Sequence, residues 1–252
     1  ALSFFLLSKQ VLKNRWLALI PLALFFNEPL ITQGLIQTPL PEPIQLPFIL
    51  FAFYFFLRGF SAKKDLGWFI ATSIMLGCVI SSRFFILGAA MTGSMGLYLL
   101  LTQHVNRKTL TFVATLPVSL IILLLTYFRT FQSGYSLTQV LSIQKYILAY
   151  HKSKFVLPFS MWDLLLFNRW HTWWADRAIL SDPHWTIFWP LATVGTGIGM
   201  IEALRSKLRG VLDGERFLLL WVGVHLLMLS TGYTSSRYFL SLLPILYILA
   251  TA

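Results

Sequence analysis

Charged residues are scarce in this chain of 252 residues: they make up 12%, whereas hydrophobic residues make up 57%. A soluble domain of this length carries about twice that charged fraction. The mean hydropathy is +0.72. The apolar runs show no alternation of period two, which argues against barrel strands and favours spanning helices. We therefore expect an all-α protein, a polytopic bundle of transmembrane helices.

Cysteine and metal-binding patterns are also scarce. Cys78 is the single cysteine, so an intrachain disulfide is excluded. The histidines and acids lack metal-ligand spacing, so neither a divalent metal nor another cofactor is indicated. The net charge of +11 would suggest a nucleic-acid partner in a soluble protein. Basic loops of a membrane protein explain this charge better, so we expect no nucleic acid but contact with membrane lipids.

The apolar runs divide the chain into three parts. Residues 1–128 and 184–252 alternate apolar runs with short loops, whereas residues 129–183 form a long polar loop. Ser136 and Gln139 match a capping box, and the apolar residues that follow lie near one face. This pattern predicts an interfacial helix on the bilayer, and the alternative is a tethering helix without a catalytic role. Because the chain begins at Ala1 inside an apolar run, we expect it to be a piece of a larger protein.

The basic residues predict the orientation of the chain. Four alternate short loops carry 12 Lys or Arg residues, and the other short turns carry two, Arg83 and Arg237. Cytoplasmic loops collect Lys and Arg, so the long loop is predicted to be extracytoplasmic or lumenal. A prokaryotic plasma membrane and an endoplasmic reticulum both fit this arrangement. The basic set comprises Lys9, Lys13, Arg15, Arg58, Lys63, Lys64, Arg107, Lys108, Arg205, Lys207, Arg209 and Arg216.

Three charged residues lie at turns on the predicted extracytoplasmic side. Glu42 lies between two prolines at the start of a span. A carboxylate at membrane depth is costly, so it should have a partner or a function. Arg83 and Arg237 each lie beside an apolar helix, and the planar guanidinium fork suits a phosphate. The alternative for both arginines is snorkelling toward lipid headgroups.

Aromatic and acid–base side chains are concentrated in the long loop. The tryptophans suit either an aromatic belt at the headgroup level or a stacking surface for a sugar or peptide. The acids and histidines beside them offer acid–base groups, and solvated loop charges are the alternative. The set comprises Trp162, Trp170, Trp173, Trp174, Trp185, Asp163, Asp176, Asp182, His151, His171 and His184.

Four stretches resemble the type C polytopic glycosyltransferases, especially the dolichyl-phosphate-mannose protein mannosyltransferase and aminoarabinose transferase group. The first two contain an acid before a span and a glycine-containing span before a basic residue. The others contain an aromatic loop and an arginine–tyrosine turn before a proline-containing span. The stretches are PLPEPIQLPFILFAFYFFLRGF, ATSIMLGCVISSRFFIL, FVLPFSMWDLLLFNRWHTWW and SSRYFLSLLPILYILA.

The resemblance implies transfer of a sugar from a polyprenyl-phosphate donor to a protein or lipid acceptor outside the cytoplasm. It assigns Glu42 to the catalytic acidic position near the sugar phosphate, and Arg83 and Arg237 to the carrier phosphate. The acceptor or sugar platform would then comprise Trp162, Asp163, Trp173 and Trp174. The family's main catalytic acid follows its first span, and we expect this chain to begin after that point.

Other classes of membrane protein remain open. A transporter should show internal repeats and polar residues at the bilayer midplane, and the sequence shows no repeat and few mid-span charges. A non-catalytic assembly scaffold is the other non-enzymatic alternative. An oligosaccharyl or polymer ligase would share the chemistry of the lipid phosphate and differ in its acceptor.

Overall fold

The computed structural model describes residues 1–32, 41–82, 85–102, 106–152, 157–172, 178–205, 214–232 and 235–252. Within these ranges the chain is almost entirely helical, which confirms the all-α prediction. The helices are α1 (Leu2–Leu12), α2 (Leu19–Phe26), α3 (Pro29–Thr32), α4 (Pro41–Ser61), α5 (Leu66–Ser82), α6 (Phe85–Leu101), α7 (Arg107–Thr115), α8 (Pro117–Thr126), α9 (Phe128–Gln132), α10 (Leu137–Lys152), α11 (Ser160–Phe167), α12 (Phe188–Arg205), α13 (Gly214–Ser230), a 3₁₀ helix (Ser236–Ser241) and α14 (Leu243–Thr251).

The second apolar run is broken at its end. Eleven residues, 16–26, give about 17 Å of helix, too short for a bilayer, so the sequence predicts continuation or a break. Helix α2 ends at Phe26, the Asn27 side chain donates to the Ala23 carbonyl over 2.8 Å, and α3 begins at Pro29. The helix is therefore interrupted at residues 27 and 28, and Glu28 lies in this interruption.

The start of α4 corrects the sequence analysis. The prolines before residue 48 predict a bent segment leading to a span that begins at Ile44, but the helix already begins at Pro41 and contains Pro43 and Pro47. The first turn of a helix leaves its N–H groups without intrahelical partners, so Pro41 and Pro43 fit there, whereas Pro47 lies inside the helix. Glu42 consequently lies in the first turn of the helix and not in a loop.

Two segments are long and apolar enough to cross a membrane, Glu42–Ser61 and Arg107–Thr126, in the part of the chain that the structure describes. The second consists of α7 and α8, which meet at Leu116 before a proline. Most of it is exposed, whereas more than half of Glu42–Ser61 is buried. Shorter apolar helices are Leu2–Leu12, Leu66–Ser82 and Ile86–Leu101.

Helix α14 lies at the centre of the packing. It packs against α1, α2, α12, α13 and the 3₁₀ helix, and each residue from Leu243 to Leu249 is buried. On the other side of the molecule, α5 packs against α4, α6, α7 and α8. A cluster of aromatic rings joins α4 to α13, where Phe53 contacts both Phe217 and Trp221 edge to face.

The long loop is more ordered than the sequence predicts. Besides α10, it contains α11 and a two-stranded antiparallel hairpin, in which β1 (Trp170–His171) pairs with β2 (Ile179–Leu180). The capping box of α10 is confirmed: the Ser136 N–H donates to Gln139 Oε1 over 2.7 Å, and the Gln139 N–H donates to Ser136 Oγ over 3.3 Å.

Candidate functional site

Glu42 and Arg237, two of the residues singled out in the sequence, form an ion pair. Glu42 is buried in the first turn of α4, and Arg237 is the second residue of the 3₁₀ helix. Arg237 Nε lies 3.7 Å from Glu42 Oε1. The Arg237 side chain is 28% exposed, against 7% for Glu42, so part of the arginine side chain reaches the surface of the protein. The expectation that Glu42 has a partner is confirmed.

The start of α4 is also tied to the end of α5. One turn after Glu42, the Gln45 side-chain amide donates to Ser82 Oγ over 2.5 Å and to the Val79 carbonyl over 3.3 Å. Arg83 follows Ser82 directly in the sequence, but Arg83 itself lies outside the described residues. Its assignment to the carrier phosphate therefore remains a prediction.

The 3₁₀ helix holds the Arg237 side chain through its neighbours. Arg237 Nη2 donates to Tyr238 Oη over 3.2 Å, and the guanidinium carbon lies 5.1 Å from the centroid of the Tyr238 ring. At the other end of the same helix, Ser241 Oγ donates to the Tyr238 carbonyl over 3.0 Å and lies 3.2 Å from His225 Nε2 of α13. The arginine is therefore fixed by a short polar network and not only by Glu42.

Two histidine–carboxylate pairs flank the hairpin of the long loop. His171 Nε2 lies 2.7 Å from Asp163 Oδ2, and His184 Nδ1 lies 3.1 Å from Asp182 Oδ1. Next to the second pair, the Asn168 side-chain oxygen accepts from the Asp182 N–H over 2.7 Å. A carboxylate that holds a histidine ring fixes its tautomer and orientation, as in general-base pairs. The sequence contained these groups but did not indicate their pairing.

Of the four residues predicted to form the acceptor or sugar platform, the structure describes two, Trp162 and Asp163. Asp163 pairs with His171 and is 41% exposed, and Trp162 beside it packs against the hydrophobic core. Trp173 and Trp174 lie outside the described residues, so their assignment also remains a prediction. Of the other loop tryptophans, Trp185 donates from its ring nitrogen to the Leu165 carbonyl over 3.2 Å, which anchors the loop to α11.

Glu28 is the residue that the sequence analysis missed. It is 1% exposed and lies in the break between α2 and α3. Oε2 accepts from the Trp189 ring N–H over 3.0 Å, while Oε1 accepts from Thr186 Oγ1 over 3.1 Å and from the Tyr247 hydroxyl. The sequence feature that could have identified Glu28 is its position as an acid at the end of an apolar run, in a chain with only nine acids.

The residues present set the electrostatic character of the site. Glu42 and Glu28 are buried carboxylates. Glu42 lies in α4 and Glu28 directly precedes α3, and both of these helices pack against the 3₁₀ helix that carries Arg237. A ligand that reaches Arg237 meets a guanidinium held between a carboxylate and a phenol. Among the described residues, no group of three or more His, Cys, Asp or Glu side chains could hold a metal ion.

The fold and this site define an all-helical protein with a buried acid–arginine pair where two helical elements meet. Comparison with protein-family models, with curated proteins and with solved structures finds no match for the chain.

Proposed function

We propose that this chain is a multi-pass integral membrane protein. The support is the apolar surface of its helices, since soluble monomers rarely expose apolar patches of this extent. Along α8, the outward side chains are about half exposed or more, and none of them is charged. They are Leu120 (58%), Ile121 (55%), Leu124 (50%) and Leu125 (62%). Helix α10 likewise exposes Leu137, Leu141, Ile143 and Tyr146, as an interfacial helix would.

We further propose that the protein transfers a sugar from a polyprenyl-phosphate donor to a protein or lipid acceptor on the extracytoplasmic side. The observation that carries this proposal is the Glu42–Arg237 pair. Two residues 195 positions apart, each assigned to the donor phosphate by the same family resemblance, lie 3.7 Å from each other. A partly exposed arginine beside a buried carboxylate suits a phosphate that enters from the membrane surface.

In this mechanism Arg237 stabilises the leaving group. The acceptor hydroxyl oxygen attacks the anomeric carbon of the sugar, and the bond from that carbon to the phosphate oxygen breaks. The electron pair stays on the lipid phosphate, where negative charge develops and where a fixed cation lowers the barrier. Glu42 holds the guanidinium in orientation, and Arg83 would supply a second cation.

The acceptor side is assigned to the long loop. The hydroxyl proton must pass to a base as the new bond forms. Of the described groups, the exposed pair of Asp163 and His171 has the composition for this step, because the carboxylate orients the ring and stabilises its protonated form. Trp162, with Trp173 and Trp174, would provide the stacking surface for the acceptor or the sugar.

A transfer assay in reconstituted vesicles tests the proposal. The full-length protein is inserted into phosphatidylcholine vesicles that contain a polyprenyl-phosphate hexose, and transfer to added acceptor is measured. We expect Arg237→Ala to lower the rate by about a hundredfold or more, the effect of removing one stabilising group from a developing anion. Arg237→Lys should recover only part of this loss, since a point charge replaces a planar fork.

Arg58→Ala provides the matched control. Arg58 ends a predicted span on the opposite side of the membrane, and its guanidinium carbon lies 5.8 Å from the Trp68 ring centroid. Its substitution removes an arginine–aromatic contact without touching the proposed site. Equal transfer by the Arg237→Ala and Arg58→Ala variants, both folded, would contradict the assignment.

A further inference from the structure

The carboxylate of Glu28 accepts hydrogen bonds from two distant parts of the chain. Thr186, Trp189 and Tyr247 lie 158, 161 and 219 positions away in the sequence. Each donor is neutral, and among the described residues no Lys, Arg or His forms an ion pair with Glu28. Hydrogen bonds to a buried charged acceptor are stronger than those between neutral groups, so this contact joins the break after α2 firmly to α12 and α14.

Trp189 and the helix that carries Tyr247 both contact the 3₁₀ helix that carries Arg237. The Trp189 ring, which is bonded to Glu28, packs edge to face on Phe239 with 5.4 Å between centroids. Tyr247 belongs to α14, which follows the 3₁₀ helix after a single residue. Helix α3, which follows Glu28, packs directly against the 3₁₀ helix. The Glu28 contacts therefore reach this helix from several sides.

We propose that Glu28 is a positioning residue that holds the 3₁₀ helix, and with it Arg237, opposite Glu42. The identity of the ligand rests on the proposed function: Arg237, held in place by Glu28, would bind the phosphate of the polyprenyl carrier. Glu28 itself is 1% exposed, too buried for direct contact with a ligand at the surface. Its effect on the phosphate passes through Trp189, Phe239 and Tyr247.

The arrangement suits a carboxylate, because all three partners donate to it and a carboxylate accepts with both oxygens. Glu28→Gln keeps the length of the side chain but replaces the charged acceptor with a neutral amide, so the hydrogen bonds lose the strength that the charge gives them. Trp189→Phe removes the indole N–H and keeps an aromatic ring against Phe239. Together, the two substitutions distinguish the effect of the Glu28 hydrogen bonds from the effect of the Trp189 ring packing on Phe239.

The first experiment measures phosphate binding. Binding of the purified chain to phosphatidylcholine vesicles that contain polyprenyl monophosphate is compared with binding to vesicles without it. We expect Glu28→Gln and Trp189→Phe to raise the dissociation constant about tenfold to a hundredfold, because small displacements of a positioned group have effects of that size. In the transfer assay, the KM for the donor should rise more than kcat falls.

The second experiment reports on the position of the 3₁₀ helix without any ligand. Ser236, which is 8% exposed, is changed to cysteine in a Cys78→Ser background, and its reaction with a soluble maleimide is timed. We expect Glu28→Gln to raise the labelling rate about tenfold, the factor for loss of one hydrogen bond to a charged group.

Ser119→Ala is the control for a general loss of stability. Ser119 is buried in α8 and donates to the Ser73 carbonyl over 2.8 Å, between two helices that do not carry the site. The inference is overturned if Glu28→Gln leaves both readouts unchanged, or if Ser119→Ala changes them equally. If the labelling rate rises as expected but the unmodified chain does not bind polyprenyl monophosphate, the positioning role stands and the proposed function fails.

Discussion

The Glu42–Arg237 pair predicts an asymmetric pattern of destabilisation. Arg237→Met removes a cation from beside a carboxylate that is 93% buried, whereas Glu42→Gln leaves an arginine that is 28% exposed and can turn toward water. At 3.7 Å and an effective dielectric constant of about 20, the attraction between the two charges is about 4 kcal/mol, and desolvation offsets part of it. We expect Arg237→Met to cost about 3 kcal/mol and Glu42→Gln about 1 kcal/mol.

A double-mutant cycle measures the pair itself. The double variant should cost about 2 kcal/mol, because neither charge is then left alone, which gives a coupling energy of about 2 kcal/mol. Methionine keeps the apolar stem of the arginine and makes no new hydrogen bond to Glu42. The assay is unfolding of the purified chain in mixed micelles by titration with a denaturing detergent. A coupling energy below about 0.5 kcal/mol, or a larger cost for Glu42→Gln than for Arg237→Met, would refute the reasoning.

Two further predictions concern the bundle and its surroundings. A Cβ on Gly77 would lie 2.7 Å from Ile122 Cβ, so Gly77→Ala should lower the free energy of unfolding by about 1–3 kcal/mol in the same assay, whereas Gly93→Ala, which meets nothing within 4 Å, should not lower it. A fluorophore attached through Leu124→Cys should be quenched by brominated lipid tails, because Leu124 is half exposed on α8. A fluorophore attached through Leu76→Cys should be quenched less, because Leu76 is buried. Equal quenching at both positions would contradict lipid contact by α8.

Much of the local structure was predictable because helix formation depends on neighbouring residues. The apolar runs at residues 66–80 and 217–231 correspond to α5 and α13 with small shifts at their ends. Ser136 and Gln139 cap α10 as their spacing predicts. The prolines at the start of α4 were misjudged: Pro41 and Pro43 fit in the first turn of the helix, and the helix also contains Pro47 in its interior.

The candidate site was predictable as a set of residues but not as a set of contacts. A buried carboxylate in apolar surroundings must be compensated, which singled out Glu42 from the sequence. Glu28 obeys the same rule and was missed, because it lies at the end of a run and its donors are neutral. The hairpin that brings His171 near Asp163 consists of strands of two residues each, too short to leave a pattern.

Composition and the spacing of apolar residues were enough to predict a mostly helical protein, the position of most of its helices and the few polar side chains that need partners. These properties depend on interactions within a few turns of chain. The pairing of Arg237 with Glu42, and the hydrogen bonds of Thr186, Trp189 and Tyr247 to Glu28, became visible only in the folded chain. Such contacts depend on which helices pack together, and apolar helix faces of similar composition carry little local information about their neighbours.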